Sequence, residues 1–496
     1  MFIIKREYRK FKDTLNDYTD WYFSRFFRNP LVTIPLLIVS TIVFFVYLLD
    51  NKLNSFCLGF VFFIIYIFLK YKEGRLLLKY FLSSVFISFL ALGIMIIQVN
   101  DQKKDSGLYL KENLRSYNIA IGTRVKQKSD KQVVWGRIDD HVNVYLTIPR
   151  YPSLARGRNC VFKGKLEAVD KNNDFGLYLI HNQTYLSGKG VLDECLRRRD
   201  GFSVFYGLYG LKEEFIIRVE RAVNEPYASL LIGIMFGDDR VYTEAFQQSI
   251  KATGLSHIVA ASGYNILFVQ NSISWLVSFI NIKYRWIITL PIVFLYCFIA
   301  GNTASVLRAF VSTALYTCFD RCGHPLPGML NIIVTTGILL LINPLYVFDI
   351  GFLLSIAATL GIIYGLPVFS KAYNLSEAIV LPAMCSIMVM PIISKYFDEV
   401  SVISVLSNAM VVGSLEYIMP LGVVLGLSLF LSDFLQSAIV ILIESQLFVF
   451  VSITEYLSRF RFSLVPIPYL LSVIVVLIIS MTLISIIRAG KWETLL

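Results

Sequence analysis

Between Ser229 and Val269 the chain reads SLLIGIMFGDDRVYTEAFQQSIKATGLSHIVAASGYNILFV. Gly237, Asp238, Asp239, Gly254, His257, Ser262, Gly263 and Asn265 interrupt what is otherwise an apolar stretch. These residue types admit three chemistries. Asp238, Asp239 and His257 are metal-ligating types, but spacing alone gives them no metal motif. His257 and Ser262 are a base and a nucleophile, yet five residues on one helix set them about 140° apart. An activating hydrogen bond would therefore need a break in that helix. The third chemistry is a polar wall. Gly237 and Gly263 permit unusual backbone turns while Asp238, His257, Ser262 and Asn265 line or brace a watery path. We prefer the third and assign no catalytic residue, metal or cofactor.

Two later segments carry polar groups at the same kind of position. In Ala300-Gly301-Asn302-Thr303-Ala304-Ser305-Val306-Leu307-Arg308-Ala309 an arginine lies inside an apparent span. A charge at that depth must pair with a carboxylate, face water or meet an anionic substrate, since leaving it in lipid costs about 2.5–3.5 kcal/mol on insertion scales. In Asn343-Pro344-Leu345-Tyr346-Val347-Phe348-Asp349-Ile350-Gly351-Phe352-Leu353-Leu354-Ser355 a polar hinge precedes a helix that Asp349 is placed to cap. Glu416, Asp433, Glu444 and Glu455 lie in the last apolar runs, either paired in the interior or along a water-lined path. Asp238 would repel an anion, so it is a brace or a cation site, and Arg308 is the phosphate candidate.

The elements that position these residues follow from composition. Of 496 residues 56% are hydrophobic and only 16% charged, against roughly 25% charged in soluble domains. We read the chain as a polytopic α-helical membrane protein with a small extracytoplasmic all-β domain of OB-fold type. The net charge of +11 is weak evidence for an anionic substrate, because cytoplasmic loops favour Lys and Arg by default. Residues 1–30 form a cytoplasmic basic terminus with no cleavable signal, and 31–98 hold three transmembrane segments. Residues 101–201 have the composition of a soluble domain, with 19 Lys and Arg against 12 Asp and Glu. Strands are expected at 142–148, 160–169 and 176–180. Cys160 and Cys195, the only cysteines of that segment, are expected to pair in an oxidising compartment. Residues 202–225 are an interfacial amphipathic helix with Phe215, Ile216 and Val219 on its apolar face.

Residues 226–487 are nearly continuous membrane domain, followed by a cytoplasmic tail, 488–496. Apolar runs are expected near 227–236, 256–280, 286–300, 303–319, 329–347, 350–369, 376–393, 402–431, 434–454 and 464–487. The first is too short for the ~20 residues a crossing needs and is expected to be re-entrant or half-buried. Gly361/Gly365 and Gly422/Gly426 are expected to pack helices closely. Cys318 and Cys322, near His324, are read as buried thiols rather than a metal site.

The ordered series Gly237-Asp238, Gly254-Leu255-Ser256-His257, Ser262-Gly263, Ser305-Val306-Leu307-Arg308-Ala309, Asn343-Pro344 and Asp349-Ile350-Gly351-Phe352 with Leu354-Ser355 resembles the ComEC competence protein family. The resemblance covers nearly the whole chain. It implies a channel in the bacterial cytoplasmic membrane that passes single-stranded DNA inward during natural transformation, after an OB-like domain has handled the DNA. It implies as partners single-stranded DNA, the bilayer, an extracytoplasmic DNA receptor, a cytoplasmic ATP-driven motor and single-stranded-DNA-binding proteins. Family members commonly have Ser-Gly-Leu-His where this chain has Ser262-Gly263-Tyr264-Asn265, and often glutamine at Leu353. Many continue into a metallo-β-lactamase-like nuclease domain, and this chain reads as a short form without it. Its histidines, 141, 181, 257 and 324, form no His-x-His-x-Asp-His cluster, and no phosphate loop is present. The expectation is a non-enzymatic channel whose motor, and nuclease if any, lie on other chains. The competing classes are a small-solute or ion transporter, favoured if Asp349, Glu416 and Glu444 cluster, and a membrane-anchored DNA-binding protein.

Overall fold

A computed structural model describes residues 103–488 with interruptions, the longer being 111–115, 150–157, 198–203, 238–242, 260–262, 370–375 and 429–432. The basic N-terminus, the three segments within 31–98, the tail beyond 488, and Asp238, Ser262, Cys322 and His324 lie outside the described residues.

Five strands come first: β1 (Ser116–Gln127), β2 (Lys131–Ile138), β3 (Val142–Pro149), β4 (Arg158–Ala168) and β5 (Leu186–Arg197). They close into a barrel in the order β1-β2-β3-β5-β4. The β3–β5 pair is parallel and β4 closes onto β1 antiparallel. Alternation in β3 turns Val142, Val144, Leu146 and Ile148 inward, where they meet Ile119, Val134, Phe162 and Leu186. Strands were expected at 142–148 and 160–169, and β3 and β4 stand there. Residues 176–180 differ. They belong to helix α1 (Asp174–His181), because the run buries Gly176 and Leu179, three residues apart, rather than alternate positions. A disulfide joins Cys160 on β4 to Cys195 on β5.

The rest is helical: α2 (Val204–Ala222), α3 (Tyr227–Phe236), α4 (Glu244–Ala252), α5 (Ser256–Val259), α6 (Gly263–Leu276), α7 (Arg285–Ile299), α8 (Ala304–Arg321) and α9 (Gly328–Ile342). A 3-10 turn (Pro344–Phe348) leads into α10 (Ile350–Leu366), α11 (Glu377–Phe397), α12 (Ser404–Ser428), α13 (Asp433–Ser458) and α14 (Tyr469–Arg488). Strands Val400–Ser401 and Leu464–Val465 pair briefly. The run expected over 256–280 is two helices, and the one over 329–347 ends at Ile342, where Asn343 turns the chain.

Helix α3 sits at the centre of the largest core. Its residues 228–235 are all buried. Around it pack Ile216 and Val219 of α2, Phe246 and Ile250 of α4, Val411, Leu415 and Ile418 of α12, and Ile443, Leu447 and Phe450 of α13. Burying such side chains contributes about 1.5–3 kcal/mol each. A ten-residue apolar helix thus becomes the hub, surrounded by longer ones. Among the described residues three helices are long and apolar enough to cross a membrane: Glu377–Phe397, Ser404–Gly426 and Gln436–Ser458. Large apolar side chains, among them Trp275, Phe279, Ile342, Ile441 and Leu470, face outward.

The disulfide closes a loop with a sequence separation of 35, and chain entropy then assigns it about 3–4 kcal/mol. Reducing the full chain, or replacing Cys195→Ser, should let protease cut between β4 and β5 at a lower temperature. Unchanged gel mobility on reduction and alkylation would refute the bridge.

Candidate functional site

Helix α3 ends inside the protein, so its last carbonyls need donors. Gly237 caps it in the left-handed region, at φ 65°, and its N–H donates to Gly233 O at 2.7 Å. The next two carbonyls are taken by side chains from separate helices. Asn265 Nδ2 on α6 donates to Ile234 O at 2.8 Å, and the Tyr296 hydroxyl on α7 donates to Met235 O at 2.6 Å. Helix α7 ends in the same way, with Lys212 Nζ of α2 donating to Ile299 O at 2.8 Å. Lys212 is only 3% exposed and lies 5.1 Å from the Phe236 ring centroid. Asn265 is therefore a brace. Lys212 and Tyr296 escaped the sequence reading, although Lys212 sits four and seven residues before Ile216 and Val219, on the face they bury.

The turn after α4 is the second such break. Gly254 has φ 71°, and a Cβ there would stand 2.7 Å from Ser404 Cβ. Glycine meets both demands at once. Ser401 Oγ donates to Ala252 O at 2.7 Å and Ser407 Oγ to Thr253 O at 2.6 Å. His257 Nδ1 lies 3.0 Å from Gly254 O, with the ring exposed. The serine cradle was also missed. Its signal is Ser401-Val402-Ile403-Ser404-Val405-Leu406-Ser407-Asn408, hydroxyls at every third position ahead of an apolar helix.

The third cluster joins three separate motifs. Arg308 on α8 is 8% exposed, and its Nε donates to Ser355 Oγ on α10 at 2.8 Å. A Cβ on Gly263, at the start of α6, would lie 3.2 Å from Ala309 Cβ and 3.9 Å from a terminal nitrogen of Arg308. Gly263 was expected to permit a turn; the feature present is this close approach. No carboxylate pairs with Arg308 among the described residues. Among the described residues the Ser355 hydroxyl is the hydrogen-bond partner of this guanidinium. One edge of the guanidinium is thus fixed on a neutral hydroxyl.

The neighbouring motif residues are structural. Asp349 Oδ1 accepts from Phe352 N at 2.8 Å, capping α10, and Asn343 Oδ1 accepts from Leu345 N at 3.1 Å. Gly351 is exposed beside the Asp349 carboxylate, and Ser305 is half-buried on the first turn of α8. Glu444 accepts from Asn224 N at 2.8 Å and Nδ2 at 3.0 Å, while Glu416 and Glu455 are exposed. Among the described residues no three His, Cys, Asp or Glu side chains gather as a metal site would need.

A family model described as Competence protein matches residues 234–492. The match begins at Ile234, whose carbonyl Asn265 holds, and takes in the Gly254 turn and the Arg308 cluster, while Lys212 lies before it. The chain is also similar to ComE operon protein 3 of Bacillus subtilis (strain 168), 23% identical over 282 residues, 55% of this chain and 36% of that protein. The aligned region thus spans about a third of the relative's length. No solved structure matches.

If Asn265 serves as a donor to Ile234 O, Asn265→Leu should destabilise the folded chain by about 1–3 kcal/mol through an orphaned buried carbonyl. Asn265→His, which keeps an N–H donor, should recover most of that loss. Thermal unfolding of the detergent-solubilised chain measures both, and equal melting of Asn265→Leu and wild type would remove the brace.

Proposed function

The chain belongs to the competence protein family, and on that basis we propose that it is a channel in the bacterial cytoplasmic membrane passing single-stranded DNA inward during natural transformation. The observation that carries this reading is Arg308, a buried cation with one edge on a neutral hydroxyl and, among the described residues, no carboxylate partner. A desolvated, unpaired guanidinium is costly to keep. A passing phosphate oxyanion supplies the missing partner through charge-assisted hydrogen bonds that Arg forms in a planar fork.

In this mechanism Ser355 sets the guanidinium's direction, and Gly263, lacking a Cβ, lets α6 approach that side of α8. The caps at Asn343 and Asp349 hold α10, and with it Ser355, in register. His257 lines the path near the Gly254 turn. We read the five-stranded barrel as an OB-fold, a reading that the parallel β3–β5 closure supports. We place it outside the cytoplasm, supported by the disulfide. Outward apolar side chains and three long apolar helices support a multi-pass membrane location. A DNA receptor would deliver the strand, a cytoplasmic ATP-driven motor would pull it, and single-stranded-DNA-binding proteins would receive it. The chain itself contributes binding and a path and breaks no bond.

Labelled-DNA uptake should be restored to cells lacking this chain by the wild type. Arg308→Ala that inserts normally should lower it at least tenfold. Arg308→Lys should fall between, since lysine offers charge without the fork. Wild-type uptake by Arg308→Ala would remove Arg308 from the mechanism.

A further inference from the structure

Of the carboxylates in the last helices, Asp349 caps α10 and Glu444 accepts from Asn224, so the fold itself occupies both. Glu416 is different. It is the one charged residue of the span Ser404–Gly426 and stands near the middle of that length. It is exposed, and the ion pairs among the described residues lie elsewhere. An ionised carboxylate turned to lipid at that depth is costly, so an exposed one at mid-span faces water or takes a counter-charge.

The backbone at the same residue also lacks its usual partner. Helix α12 continues through Pro420, which has no N–H to give to the carbonyl four residues earlier. That carbonyl belongs to Glu416. One residue therefore brings a carboxylate and a carbonyl released from the helix ladder to the same level. Space is left beside them: Gly413, one turn earlier on the same face, is exposed, with nothing within 4 Å of where its Cβ would stand. A third oxygen comes from another helix. Tyr264, on the first turn of α6 and 39% exposed, lies within electrostatic reach of the Glu416 carboxylate.

Carboxylate, carbonyl and hydroxyl oxygens are the groups for which a hard monovalent cation exchanges its water. Membrane proteins use carbonyls released at breaks in helices for the same purpose. The gathered His, Cys, Asp or Glu side chains that a transition metal or a divalent ion takes are absent among the described residues. One negative charge here matches one positive charge. The position gives this a consequence. Gly263, the residue before Tyr264, stands by the Arg308 guanidinium, so the start of α6 lies between a fixed cation and this carboxylate. Left bare, Glu416 would repel a polyanion; with a cation bound it would not.

We propose that Glu416 binds an alkali cation through its carboxylate and its proline-freed carbonyl, with the Tyr264 hydroxyl as a further ligand. The site goes beyond the DNA-transport reading and does not depend on it.

The test uses the full chain purified in detergent and two probes, radiolabelled sodium and radiolabelled rubidium as the potassium mimic, with choline chloride holding ionic strength constant. Wild type should bind at least one of the two saturably. Glu416→Gln, isosteric and uncharged, should weaken that binding about tenfold or more. Pro420→Ala returns an N–H to the Glu416 carbonyl and leaves the charge in place, and it should weaken binding as well, as should Tyr264→Phe. Wild-type melting in choline chloride shows that a variant is folded, and if Pro420→Ala does not fold, Tyr264→Phe is read in its place. No saturable binding of either ion by the folded wild type overturns the proposal, as does wild-type affinity in Glu416→Gln. Binding that only Glu416→Gln diminishes overturns it too, since that marks counter-ions gathered at a bare carboxylate. Cation binding without chain-dependent DNA uptake removes the channel and leaves the site, and uptake without cation binding does the reverse.

Discussion

A helix that stops inside an apolar interior exposes carbonyls that neither solvent nor its own backbone can satisfy. In this protein that constraint organises the helical domain. Helix α3 ends at Gly237, and the donors for Ile234 O and Met235 O come from residues 31 and 61 positions away in sequence, Asn265 and Tyr296. The turn at Gly254 draws Ser401 and Ser407 across separations of 149 and 154. Helix α7 ends on Lys212, 87 positions earlier. Each break is thereby a clamp between distant elements. An orphaned buried carbonyl costs about 1–3 kcal/mol, so losing one clamp is a large fraction of a typical folding free energy of 5–15 kcal/mol.

The same clamps explain why the Arg308 cluster can be built at all. A fixed guanidinium needs its partner, Ser355, held to within a fraction of an ångström. Ser355 lies on α10, whose start is set by Asp349 and whose approach is set by Asn343. Gly263 opens α6, the helix that Asn265 ties to the end of α3. Among the described residues the motif positions thus include supports for α3, α10 and the Gly254 turn and one buried cation set on a hydroxyl.

Much of the helical order was legible in the sequence because long apolar runs bounded by charge need only hydropathy to be seen. The apolar face of Ile216 and Val219, which packs into the core around α3, and the shortness of α3 were legible for the same reason. What escaped depended on pairing across the chain. Nothing local to Tyr296 or Lys212 says which carbonyl each will meet, and the serines at 401, 404 and 407 look like ordinary small residues until Gly254 is laid against them. The 176–180 segment misled because five apolar or small residues in a row fit a strand as well as a helix, and only the buried pair Gly176 and Leu179 decides. For Arg308 three partners were left open by the sequence, a carboxylate, water or an anionic substrate, and the described neighbour is a neutral hydroxyl, Ser355.

That neutral neighbour bears on how a polyanion can move. A carboxylate beside Arg308 would cancel its field, and each phosphate would then have to displace it. A dense row of arginines would err the other way: hydrogen bonds to charged groups contribute about 1.5–3 kcal/mol each, and several engaged together would hold the strand against any motor. In the proposed channel a single guanidinium, aimed by a hydroxyl that does not compete for its charge, would bind one phosphate at a time with an affinity that thermal motion and a modest pull can undo.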